Sequence, residues 1–122
     1  MIYEELTKNS DEGRIWTLIT RTHDQRSYCG FFKVAASAIH GLGVFTMRET
    51  APGDEIGPAR LDGKRTPIGR YTNHADRPNC EMVRRGADLY VVAIKDILHN
   101  REVTLDYEQV LRVNTEARAE WK

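Results

Sequence analysis

Only two cysteines occur in this chain, Cys29 and Cys80, and they share no CxxC spacing. A zinc ribbon needs four, and a small disulfide-stapled fold needs more pairs than one. The reading is therefore two free thiols in a reducing cytosol. Four histidines, His23, His40, His74 and His99, show neither HxH nor HExxH spacing, so no zinc-peptidase centre and no other metal site is expected. No run approaches the roughly 18 apolar residues of a membrane span. The N-terminal stretch MIYEELTKNSDEGR is acidic and carries no apolar h-region, which argues against a secretory signal. Net charge is lacking too: Lys plus Arg and Asp plus Glu are both 18. Nothing global steers the chain toward nucleic acid or an anionic membrane, and neither is an expected direct partner. Repeats and low-complexity tracts are absent.

What is present suits a small core. With 122 residues and 40% hydrophobic composition, the chain makes one domain. Residues 1–13 read as a polar arm with at most a short helical turn. Ile15, Thr17 and Ile19 alternate with Trp16, Leu18 and Thr20, which predicts a strand over 14–21. A loop follows at 22–27, then strands at 31–36 and 43–46 on either side of turn material around His40. The Pro-Gly of APGDEIG marks a turn with a short strand behind it. Residues 58–69 hold two Pro and two Gly and read as loop. Runs 80–85 and 89–94, separated by Gly86-Ala87-Asp88, carry a hairpin signature. A last strand is expected at 103–107, and helix from about Thr115, with Thr115 as its N-cap. The sum is a mainly β fold of short strands with little helix.

Three stretches carry chemistry-bearing residues. IHGLGVF, 39–45, contains a lone GxG; Phe45 stands where a dinucleotide fingerprint would need its third glycine, and β-formers follow, so that phosphate loop is excluded. The glycines serve either a tight turn or a close approach of backbone to a ligand. RYTNHADRPNC, 70–80, could be a polar loop, a metal site or the floor of a cofactor pocket. One His with one distant Cys makes no tetrahedral site, and a Cys80 nucleophile beside His74 would lack a third, orienting group. An Asn-His pair can instead offer an amide and backbone groups to a purine-bearing cofactor. In REVTLDYEQ, 101–109, Tyr107 alone reads as a core tyrosine as readily as a catalytic one.

Order and separation narrow the choice. GLGVF (41–45), then RYTNHADRPNC (70–80), then NREVTLDYE (100–108) resembles the SET-domain protein lysine methyltransferases. Their motifs typically read GxGVF, R-F-x-N-H-S-x-x-P-N-C and GEELTxDYG, and the likeness spans about residues 33–109. It implies a β-clip SET fold whose second and third motifs thread through each other as a knot. It divides the chain into a flanking segment 1–32, a SET core 33–109 and a helical tail 110–122. It also implies S-adenosylmethionine as cofactor and a lysine-bearing protein as substrate. Gly41, Leu42 and Gly43 would lie against the methionine part of the cofactor. Arg70, Asn73 and His74 would hold it from the middle motif, and Trp121 would stack on its adenine. Tyr107 would be the catalytic hydroxyl, also touching cofactor, with Tyr71, Met82 and Leu105 lining the lysine channel. Leu105 and Met82 stand where a hydroxyl-bearing aromatic can limit methyl number, so a second methyl should be allowed.

The sequence departs from the pattern at several points. Ala75 replaces the Ser of N-H-S, Glu108 replaces the Gly of DYG, and no cysteine-rich segment follows Tyr107. Only 24 residues separate GLGVF from RYTNH, so the insert that shapes the substrate groove is short. Substrate recognition must then draw on the N-terminal 32 residues or on a second subunit of a homo-oligomer. In size the chain resembles the small viral and bacterial members. The competing reading is a SET-like binding or scaffold module that has kept the fold and lost turnover.

Overall fold

The computed structural model describes residues 2–10, 13–21 and 27–118, with side chains described from Phe32 to Arg118. Among the described residues, ten strands and two helices follow one another. The first four strands are β1 (Ile2–Ser10), β2 (Gly13–Arg21), β3 (Ser27–Ala36) and β4 (Leu42–Thr46). Then come β5 (Glu55–Leu61), β6 (Lys64–Arg65), helix α1 (Pro67–Tyr71) and β7 (Asn73–His74). Last among the described residues come β8 (Cys80–Arg85), β9 (Asp88–Ala93), β10 (Glu102–Leu105) and helix α2 (Tyr107–Arg118). One sheet runs β1-β2-β3-β4-β10-β7 and the other β6-β5-β9-β8. The architecture is mainly β with little helix, as the sequence indicates. No described helix is long and apolar enough to cross a membrane.

A single core joins the two sheets. Phe32, Val34, Val44, Val103 and Leu105 come from the first; Ile56, Ala59, Cys80, Met82, Leu89, Val91 and Ala93 come from the second. Alternation places them: along β9 every second residue is buried, so Leu89, Val91 and Ala93 share one face. Hairpin β8-β9 turns on Gly86-Ala87, with Arg85 opposite Asp88 and Gly86 at φ 62°. Glycine at the first central position suits a II′ turn, whose twist matches the strands.

Several sequence expectations are corrected. The polar arm is a strand: β1 pairs antiparallel with β2 from Ile2↔Ile19 to Ser10↔Gly13. An edge strand is held by backbone pairing and needs no apolar pattern, which hid it. The loop expected at 22–27 falls, apart from Ser27, outside the described residues.

Residues 58–69 are largely regular. Strand β5 continues to Leu61, and Asp62-Gly63, both with positive φ (50° and 76°), turn the chain into β6. Asp-Gly is the sequence mark of that I′ turn. Thr66 then caps α1: its Oγ1 accepts from Gly69 N at 3.1 Å and donates to the Pro58 carbonyl at 2.7 Å. Pro67 starts the helix where a missing N–H costs nothing.

The last strand stops at Leu105, and the helix begins at Tyr107, eight residues before the expected Thr115. Asp106 caps it. Its Oδ1 accepts from Glu108 N at 3.0 Å and its carbonyl from Val110 N at 3.0 Å. Val110, Val113 and Ala117, at i, i+3 and i+7, turn one face of α2 to the core. Thr115 sits inside the helix, donating its hydroxyl to the Leu111 carbonyl at 2.8 Å.

Helix α1 lies close on β5. A Cβ built on Gly69 would collide with the backbone carbonyl of Ala59. Gly69→Ala should therefore destabilise the fold by roughly 2–3 kcal/mol, the range of an overpacked core. Thermal unfolding checks this; an unchanged midpoint would mean that α1 can lift from β5 freely.

Candidate functional site

The middle and last motifs meet at a two-residue parallel pairing. Strand β7 lies beside β10 with Thr104 opposite Asn73 and Leu105 opposite His74. Asn79, of the PNC end of the middle motif, stitches the crossing further. Its Nδ2 donates to the Glu102 carbonyl at 2.8 Å, and its Oδ1 accepts from Thr104 N at 2.9 Å. Ala75 N adds a bond to the Leu105 carbonyl at 3.0 Å. One amide side chain thus copies a strand partner, satisfying β10 groups where no strand is paired.

Asn73 turns inward, nearly buried, toward the GLG loop. Its Nδ2 lies 3.0 Å from Ser37 Oγ, 3.0 Å from the His40 carbonyl, 3.0 Å from the Leu42 carbonyl and 2.9 Å from Glu102 Oε2. Two protons are shared among four acceptors. All four are acceptors, so the orientation of the amide is determined, and Oδ1 is left facing no described donor. Ser37 closes the same knot from below: its hydroxyl reaches both Glu102 oxygens, at 2.8 and 2.9 Å, and accepts from Ile39 N at 2.9 Å and His40 N at 3.2 Å. Ser37 and Glu102 were not among the residues singled out in the sequence. The only signal for Glu102 was its place at the head of the last motif; Ser37 had none.

The loop glycines have separate reasons. Gly41 sits at φ 49°, a left-handed turn that glycine adopts without strain. Gly43 has ordinary backbone, but a Cβ there would collide with the Glu102 carboxylate. Between them Leu42 is about half exposed, as is Ile39 before it.

Tyr107 stands at the junction of β10 and α2, 48% exposed. Its backbone N–H donates to His74 Nδ1 at 3.0 Å, its hydroxyl donates to the Thr72 carbonyl at 3.1 Å, and its ring centroid lies 5.1 Å from that of His74. A neutral His74 therefore carries its proton on Nε2, which points at Asp76 Oδ1, 3.1 Å away. Asn73 thus meets the GLG loop, and His74 beside it meets Tyr107.

Other expected site residues stand differently. Arg70 is exposed at the end of α1, its guanidinium 5.9 Å from the Tyr71 ring centroid. Tyr71 packs half-buried against the core. Leu105 is buried at the β7-β10 pairing, two residues before Tyr107. Met82 is buried on β8; its backbone N–H and carbonyl both bond the Gln109 amide, at 2.9 and 2.8 Å. Its side chain lines a cleft of about 80 Å³ with Ala59, Gly69, Leu89 and Val110, and none of the GLG loop shares that cleft. Trp121 lies outside the described residues.

Cys80 is 1% exposed in the core, and burial pushes its thiol up to about 12. A protonated thiol is no nucleophile. Native-state burial of the neutral thiol favours folding below about pH 9, and that contribution is lost as pH climbs from there to about 12. In a Cys29→Ser background, an alkylating reagent should leave Cys80 untouched at neutral pH until denaturant unfolds the chain. Rapid labelling of the native protein would contradict the burial.

Known proteins match this picture in two ways. Residues 57–108 match the family model of the SET domain, a span that holds the middle motif and the last one through Glu108. Among solved structures, the fold is similar to a Plasmodium falciparum protein described as a "putative histone methyltransferase". The TM-score is 0.50 at 20% identity, covering 62% of this chain and 91% of that one. Among curated proteins, none matches the sequence. The paired motifs and the β architecture agree with the matched segment: over residues 57–108 this chain is similar to the SET domain, and its fold is that of a solved SET-like structure.

Proposed function

We propose that the chain is an S-adenosylmethionine-dependent protein-lysine N-methyltransferase. The observation that carries this reading is that the β7-β10 pairing sets Asn73 against the GLG loop while its neighbour His74 holds Tyr107. The residues present fit the cofactor. Asn73 Oδ1 is an acceptor without a described donor, and Glu102 is a carboxylate bonded only by neutral groups, both suited to a cationic ligand. Gly41 and Gly43 keep the loop low, and exposed Leu42 and Ile39 offer apolar surface beside it. When bound, the cofactor supplies an electrophilic methyl on a sulfonium.

The chain's own part is alignment, because displacement of a methyl from sulfur is in-line and needs little covalent help. Asn73 and the loop fix the cofactor's amino-acid end. The target lysine must enter neutral although its ordinary pKa is about 10.4; apolar walls and a neighbouring positive charge both lower it. Tyr107 and the Thr72 carbonyl, already joined at 3.1 Å, stand as donor and acceptor to orient the amine. The substrate is a protein, with no metal. Leu105, which carries no hydroxyl, should let dimethyl-lysine form; Met82, in its separate cleft, takes no part.

Titration calorimetry with S-adenosylmethionine tests the reading at its base. One-to-one uptake with a raised melting temperature is expected; no uptake by the folded chain would overturn it. A retained affinity without turnover would favour the binding-module reading.

A further inference from the structure

Glu102 opens β10 half-buried, and every group that bonds its carboxylate is neutral: the Ser37 hydroxyl on both oxygens and the Asn73 amide on one. Among the described residues, no Lys, Arg or His nitrogen lies within ion-pair distance of it. The carboxylate also lies against the GLG loop, where a Cβ at position 43 would meet it. A carboxylate drawn out of water and held by neutral donors alone keeps an uncompensated charge, and an arriving cation recovers that cost.

We infer that Glu102 is the counter-charge for the cofactor's sulfonium, and that it lets this chain discriminate the charged cofactor from its neutral thioether product. The inference rests on the methyltransferase reading. S-adenosylmethionine and S-adenosylhomocysteine share their adenosine and amino-acid ends; they differ by one methyl and by the positive charge on sulfur. An acidic group beside the loop therefore adds affinity to the first and little to the second. Turnover benefits, since transfer itself abolishes the charge that held the ligand and the product leaves more readily. Glu102 need not touch the reacting atoms; it is a specificity-determining residue acting through the field at the loop.

A structural role predicts something else. If Glu102 served only to hold Ser37 and Asn73 in place, its loss would loosen the loop and weaken both ligands alike. Calorimetry with each ligand on the folded full chain separates the two. Glu102→Gln should weaken S-adenosylmethionine about tenfold, the scale of one charge pair at intermediate dielectric, and S-adenosylhomocysteine by no more than about twofold. Ser37→Ala, which keeps the carboxylate and removes the hydroxyl under the loop, should weaken both by the same factor. Glu102→Asp keeps the charge; even if it alone folds, the ratio of the two affinities should hold within about threefold. Parallel losses in E102Q, or a ratio that collapses in S37A, would overturn the inference while leaving the methyltransferase reading standing. Wild-type chain that takes up neither ligand would overturn both.

Discussion

Phenylalanine at position 107 should lower methyl transfer about a hundredfold or more, the usual cost of removing one preorganised donor at a reacting centre. Cofactor affinity should move by less than about threefold, because the hydroxyl bonds Thr72 and not the loop that is proposed to hold the cofactor. Stability should fall by about 1 kcal/mol or less, as one half-exposed hydrogen bond is lost. The ring, its tilted contact with His74 and the backbone bond to Nδ1 all survive the change. Turnover and affinity therefore separate, and steady-state kinetics beside calorimetry reads the split. A wild-type rate in Tyr107→Phe would remove Tyr107 from the chemistry.

The second large effect belongs to Asn73. From the sequence, Asn73→Ala would be expected to cost cofactor binding and leave the fold untouched. The structure revises that. Four acceptors lose their shared donor at once, one of them the Glu102 carboxylate, which would be left with Ser37 alone. The penalty for stranding part-buried acceptors is about 1–3 kcal/mol, larger where one is charged. A fall in melting temperature of roughly 10 °C is expected for a chain of this size. Affinity for S-adenosylmethionine should drop tenfold to a hundredfold on the same free-energy scale, measured below the new transition. A variant that melts and binds like the wild type would mean that the amide is neither a strut nor a ligand contact.

Both effects depend on features that the sequence reveals unequally. The motif residues could be found because their order is distinctive: Asn73, His74 and Tyr107 are separated along the chain and gathered only by β7 and β10. The β8-β9 hairpin was legible from Gly86 and two alternating runs. Helix α2 was missed at its start because Tyr107 continues an apolar, β-rich stretch. The informative signals were weaker: Asp106 as a cap and the 3-4 spacing of Val110, Val113 and Ala117. Segment 58–69 failed for a related reason. In sequence Pro and Gly read as breakers, yet Pro67 begins a helix and Gly63 completes a hairpin.

The Ser37–Glu102–Asn73 network was not legible at all. Ser37 lies 36 residues from Asn73 and 65 from Glu102, and no local pattern announces a contact at that distance. Its meaning appears only once β3, β4, β10 and β7 are placed side by side. Asn79 belongs to the same class of residue. It could be recognised as part of a motif, but its work as a strand substitute depends on where β10 falls.

Transfer of a methyl group to lysine can be read from the product itself. The purified chain is incubated with methyl-labelled S-adenosylmethionine and candidate protein lysates, and peptides are sequenced by mass spectrometry. Label should appear on lysine side chains, progress to dimethyl-lysine under excess cofactor, and fall to background with Tyr107→Phe. Label that never reaches lysine, from a chain shown to bind the cofactor, would mean that this protein is not a lysine methyltransferase.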